Sequence, residues 1–299
     1  MTGPRATLDP GARESLRRMR LQLRRARAAG TGQHQSIFRG RGVEFDEIAR
    51  HGFGDDIRDV DWNVTARRGE LHRKVFRADR EARVIVVLAD DSALRFGSGV
   101  RSRRDALLEA AALLLMAGAV QREQTGLIHI HGDRIEHVPP SRARGRILAA
   151  AASLPAAPAG PLDVPARLDA AFPLLMTQPL GSTVFWLADS PSEAPPRALG
   201  ALRRRHHVTA VRVLDPWDED LPQAIDAMAY DPVAGRLVRL QDRPEARAAH
   251  ERWRERRERL WREWWPQVSD RMTLNVQSGA AAALADFLHL RSRAAKRAA

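Results

Sequence analysis

The chain has 299 residues and a mass of 33.3 kDa, 44% of them apolar and 29% charged, enough to bury roughly 75% of its unfolded surface and fold without a covalent staple. It has no cysteine, which excludes a disulfide framework, a thiol nucleophile, a Cys-ligated zinc and an iron–sulfur cluster. Lys and Arg number 49 against 37 Asp and Glu, a net charge of +12 and a pI near 11.3; this permits a polyanionic or acidic partner without requiring one, and since Lys74 and Lys296 are the only lysines, a genome-wide bias toward Arg and Ala is the simpler source.

Met1–Gly11 has no apolar core of the kind a signal peptide needs. Arg13–Ala29 is predicted as a basic helix with Leu16, Met19 and Leu23 on one face, ended by Gly30. Ile37–Arg80 is rich in Gly and Asp. Strands are predicted over Val43–Ile48 and Leu71–Phe76, with a turn-rich charged segment between them. These shifts divide the chain into a basic N-terminal helix (1–30), a small β-rich module (31–80) and an α/β domain (81–295).

From Val84 the texture is that of strands buried on both faces alternating with helices. Val84–Ala89, Gly126–His131, Thr183–Ala188 and Val208–Leu214 are predicted strands. Arg103–Arg122, Arg142–Ser153, Ala166–Thr177 and Pro195–Arg205 are predicted helices. Gly132-Asp133 reads as a tight turn into Ile135–Val138. Pro244–Trp265 is a long helix dense in Arg, Glu and Trp, Met272–Val276 an edge strand, and Ala280–Arg293 a closing helix. The longest apolar run, Ala110–Val120, is too short to span a bilayer. The expectation is a cytoplasmic protein without membrane insertion, built on a mostly parallel sheet flanked by helices.

Three of the buried strands end in Asp90, Asp189 and Asp215, and ligands of open α/β sheets bind at the carboxyl ends of strands. No Walker sequence and no Gly-x-Ser-x-Gly elbow is present. His129 and His131 share one face of a strand and, with Asp133, superficially resemble a metal-binding pair. A metal centre needs three or more convergent ligands, no fourth partner is signalled, and His137 on the next strand is as readily turned away, so half-buried sheet histidines are the reading. Trp253, Leu260 and Trp264 line one face of the C-terminal helix. They suit either a helix docked on the sheet, the favoured reading, or an aromatic platform for single-stranded nucleic acid.

The stretch from Gly42 to Gly97 carries a specific pattern: Gly42-Val43-Glu44-Phe45, then Gly54-Asp55-Asp56-Ile57-Arg58-Asp59-Val60-Asp61-Trp62, then Thr65-Ala66-Arg67, a strand, and Phe96-Gly97. It resembles the domain of unknown function 58 family, over residues 30–295. The resemblance implies a second half like a von Willebrand factor A domain, a Rossmann-like α/β fold. It implies a non-enzymatic protein-interaction module that acts with a MoxR-type AAA+ ATPase in protein maturation or complex assembly. Gly54, Asp55, Asp56, Arg58, Asp61, Trp62 and Arg67 are then the structural and docking motif, with Trp62 as a buried anchor. The alternatives are a basic nucleic-acid-binding protein and, further off, a metal-dependent hydrolase.

A von Willebrand A domain holds Mg²⁺ through Asp-x-Ser-x-Ser after its first strand, with a Thr and an Asp from later loops. Here Asp90-Asp91-Ser92-Ala93-Leu94 puts Leu94 at the second Ser, and the loop expected to supply Thr reads Pro161-Leu162-Asp163. Asp90, Asp91, Ser92 and Asp189 are the remnant of such a site. Leucine cannot ligate a hard cation and Mg²⁺ tolerates poor geometry badly, so no cofactor is expected.

Overall fold

In a computed structural model of the chain, the described residues are 45–50, 60, 62–76, 83–132, 134–156, 171–189, 191, 194–223, 225–267, 271–278, 280–281, 283–284 and 286–287. The predicted basic helix over 13–29, most of the Gly54–Asp61 motif, and Asp163 and Ser190 lie outside them. The first described unit is a two-stranded antiparallel sheet of β1 (Phe45–Arg50) and β2 (His72–Phe76). Helix α1 (Trp62–Arg68) lies between them in sequence. The Thr65 hydroxyl accepts from the His72 backbone N–H at 3.0 Å, which ties α1 to the start of β2.

The main body is a six-stranded sheet in the order β10-β7-β6-β3-β4-β5. Its strands are β3 (Val84–Asp90), β4 (Thr125–His131), β5 (Arg134–Ser141), β6 (Thr183–Leu187), β7 (His207–Leu214) and β10 (Arg271–Asn275). All neighbours pair in parallel except β4 and β5. Numbered within the sheet, this is the doubly wound order 3-2-1-4-5-6, with the third strand reversed at one edge. The reversed strand follows from sequence: a two-residue connection at Gly132-Asp133 cannot make a parallel crossover, and Gly132 takes the positive φ of 52° that the turn needs. Pro139 and Pro140 sit on this edge strand at a register shift opposite Gly126, where the ladder is already interrupted.

Side-chain alternation splits β3 between two cores. Val84, Val86 and Leu88 face α2 (Arg103–Gln121) and α3 (Arg144–Ser153), together with Ala280 and Leu284. Ile85 and Val87 face the opposite layer, with Leu175, α4 (Arg197–Arg205) and α6 (Pro244–Trp264). The apolar run in α2 is buried on nearly every side, as expected of a helix without a polar face. A Ser102–Asp105 capping box starts it, and Arg122 ends it in the left-handed region at φ 59°. Gly118 lets α2 lie against β4, because a Cβ there would fall 2.1 Å from Thr125 Oγ1.

Two elements differ from the sequence reading. The segment between β7 and α6 folds into a short helix, α5 (Pro216–Glu219), and a hairpin of β8 (Asp226–Asp231) and β9 (Arg236–Gln241). The hairpin lacks the long apolar runs of the sheet strands, so its sequence carries no comparable strand signal. In α6 the docked face lies at the C-terminal end: Leu260, Trp261, Trp264 and Trp265 are buried, and Trp253 is 39% exposed. Trp265 packs against Trp186 with ring centres 6.4 Å apart, and Trp186 stacks on Phe172 at 6.0 Å. The docked-helix reading therefore holds for these indoles, which are closed off from any base. Among the described residues no helix is long and apolar enough to cross a membrane.

Candidate functional site

The sheet order reverses between β3 and β6, so the crevice at their carboxyl ends is the position where doubly wound folds take ligands. Four of the sequence-predicted acids, Asp90, Asp91, Asp189 and Asp215, reach it. Asp90 ends β3, Asp91 follows, and Asp189 lies just beyond β6. Ser92 is buried at the start of a short 3-10 turn, Ser92–Arg95. Asp215 and Asp218 join the rim from the end of β7 and the first turn of α5.

Arginines hold these acids. Asp90, fully buried, receives both Nε and a terminal nitrogen of Arg104 at 2.7 Å, and lies 3.2 Å from His129 Nε2. Burial alone would raise its pKa; the bonds to His129 and Arg104 more than offset this and hold it below the usual carboxylate range. Asp189 accepts from Arg257 at 2.6 Å, with Arg103 3.9 Å away. Asp218 accepts from Arg103 Nε at 2.9 Å and from a second guanidinium nitrogen, and Arg257 lies 3.8 Å from it. Asp215 accepts from the backbone N–H groups of Ser98 and Trp217, both at 2.9 Å. Arg103 also lies over the Phe96 ring, 4.8 Å from its centre.

The local logic is electrostatic. Arg103 and Arg104 open α2, where the positive end of the helix dipole disfavours cations. Buried carboxylates from β3 and α5 compensate them, so neither set of charges is tolerable without the other. Asp91 behaves differently. It caps the 3-10 turn, accepting from Ala93 N at 3.0 Å and from the Ser92 hydroxyl at 3.2 Å. Burial, with the nearby charge of Asp189, pushes its carboxyl up.

Thus the remnant metal residues come together, but their oxygens serve guanidinium groups and a turn. Sequence reasoning missed Arg103, Arg104, Arg257 and Asp218. The Asp215-x-x-Asp218 capping box was a readable local signal; the arginine partners had none. On the outer β4–β5 edge, His129, His131 and Glu136 bring one ligand atom each within 4.8 Å of one another.

Of the predicted docking motif, Trp62 and Arg67 lie on α1, and both are exposed. Trp62 is 63% exposed, which overturns the expectation of a buried anchor: α1 presents its indole outward. Gly54, Asp55, Asp56, Arg58 and Asp61 are outside the described residues.

Residues 47–259 match the family described as "Protein of unknown function DUF58". The chain is 30% identical over 241 residues to uncharacterized protein Rv1480 of Mycobacterium tuberculosis and to uncharacterized protein Mb1516 of Mycobacterium bovis, covering 76% of this chain and 73% of each relative. Among solved structures it is similar to the conserved hypothetical protein BatB from Bacteroides thetaiotaomicron, with a TM-score of 0.44, 13% identity, and coverage of 71% of this chain and 99% of that one.

Proposed function

The chain belongs to the DUF58 family, and from that premise we propose that it is a non-catalytic docking module whose partner is a MoxR-type AAA+ ATPase, working in protein maturation or complex assembly. The α/β body is read as von Willebrand factor A-like. Support for this is the 3-2-1-4-5-6 order with its reversed edge strand and the acids at the switch point. The observation that carries the non-catalytic reading is the pairing of the rim: Asp90 with Arg104, Asp189 with Arg257, and Asp218 with Arg103. Acids so engaged are poor general bases and poor Mg²⁺ ligands. They make a rigid, charge-compensated surface suited to hydrogen-bonded recognition. The exposed indole of Trp62 adds a residue type enriched at binding hot spots.

The aromatic-platform form of the nucleic-acid reading loses Trp261, Trp264 and Trp265, which are buried in the core; the net charge of +12 that motivates the alternative is unaffected. The test is binding of the full chain to an immobilised MoxR-type ATPase, without nucleotide, in the presence and absence of millimolar Mg²⁺. Saturable binding that is insensitive to Mg²⁺ and weakened by Asp189→Ala is expected. Binding that requires Mg²⁺ overturns the metal-free rim. A folded Asp189→Ala that binds like wild type moves the interface to 54–67. No ATPase binding, with a steeply salt-dependent gel shift on generic DNA, favours the nucleic-acid alternative.

A further inference from the structure

We propose that His129, His131 and Glu136 form a binding site for a divalent first-row transition metal, zinc by chemical preference, at the outer edge of the sheet. This is independent of the docking reading and meets the Mg²⁺ remnant at the switch point only through the contact of His129 with Asp90. The sequence shows two histidines at i, i+2 on one strand; the third ligand comes from strand register. β5 folds back antiparallel through the turn at Gly132, and its register sets Glu136 directly opposite His129. Directly opposed residues project to the same face of a sheet, so the carboxylate joins the two imidazoles. His137, next in sequence, pairs with Ile128 and belongs to the other face.

His131 supplies the second argument. Its side chain is 3% exposed, and its Nε2 is buried without a hydrogen-bond partner. Glu136 Oε1 lies 3.1 Å from that nitrogen, but not in hydrogen-bonding geometry. A buried polar atom left unsatisfied is uncommon and needs a reason. A buried ring nitrogen without a hydrogen-bond partner, 3.1 Å from a carboxylate oxygen, suits a cation held by both.

The remaining geometry fits. The imidazoles of His129 and His131 lie with ring centres 4.6 Å apart. The contact of His129 with Asp90, itself locked by Arg104, fixes the His129 ring as carboxylates do for metal-bound histidines. Ligand atoms of a tetrahedral zinc site lie about 3.3 Å apart, given bonds of roughly 2.0–2.1 Å. The present cluster is looser, within 4.8 Å, and Glu136, whose side chain is 51% exposed, is the ligand free to close it. Two imidazoles and one carboxylate are a donor set that suits Zn²⁺. They leave a fourth position for water on the exposed Glu136 side.

The experiment is a Zn²⁺ titration of the full chain against a chromophoric chelator, repeated with Co²⁺ to read coordination from its visible absorption. About one equivalent of Zn²⁺ should bind, and Co²⁺ should give the intense bands of a four-coordinate site. Glu136→Gln, on a half-exposed side chain that leaves the fold intact, should weaken binding roughly tenfold or more. His131→Gln should abolish it, and His137→Gln should leave it unchanged. The proposal is overturned by no saturable Zn²⁺ binding to wild type. It is equally overturned if Glu136→Gln binds like wild type, since the metal would then sit on others of the ten histidines.

Discussion

Arg104→Met tests whether the rim is held together by charge pairing. The substitution keeps the aliphatic stem and removes the guanidinium from Asp90, which is fully buried. Removing one partner of a buried ion pair costs about 3–5 kcal/mol, because the other charge is left stranded. Arg104 keeps 16% of its side-chain exposure, so water carries part of the interaction already, and a loss of about 2–4 kcal/mol at pH 7.5 is expected. The pH dependence follows with a definite sign. In the wild type the Asp90 carboxyl is lowered, so its stabilisation is present above the ordinary carboxylate pKa of about 3.9 and lost as pH falls below it. In the variant the pull of Arg104 is gone and only the His129 contact opposes burial, so the Asp90 carboxyl lies higher than in wild type, takes its proton at higher pH, and the destabilisation shrinks as pH drops from 7.5 toward 5. Urea unfolding at both pH values measures this. Arg104→Met/Asp90→Asn should recover most of the loss at pH 7.5, since no charge is then stranded. A single variant that costs under about 1 kcal/mol, or a double variant no more stable than the single, would refute the reasoning.

Gly118→Ala should destabilise by about 1–3 kcal/mol through overpacking against Thr125, and Thr125→Ala in the same chain should recover much of it; urea midpoints of the three variants check this. Asp91→Asn keeps a capping oxygen for the 3-10 turn. Because the Asp91 carboxyl is raised in the fold, its charge opposes folding at neutral pH, and the opposition is relieved as pH falls through the folded pKa. The variant should therefore be as stable as wild type or slightly more so at pH 7.5, with the advantage fading toward pH 4; thermal melts across that range test the sign. Trp62→Ala should change stability by less than about 0.5 kcal/mol, the range of surface substitutions, because its indole is exposed, and should weaken ATPase binding; a large fall in Tm would restore the buried anchor.

The layered α/β architecture was legible in the sequence because its signals are local. The fully apolar run of β3, the buried character of α2 and the turn at Gly132 are decided within a few residues by side-chain periodicity and backbone sterics. The capping boxes at Ser102–Asp105 and Asp215–Asp218 are of the same kind. That acids gather at the strand ends was also readable, since parallel strands all end on one side of the sheet. What holds those acids was not. Arg104 reaches Asp90 across 14 residues, Arg257 reaches Asp189 across 68, and Arg103 reaches Asp218 across 115. Nothing in a run of arginines tells which will meet a carboxylate, because charge pairing acts through space and carries no sequence period. The same holds for Glu136, which becomes a neighbour of His129 only through the antiparallel register of β5, and for Trp62, whose exposure depends on which face of α1 the rest of the chain leaves uncovered.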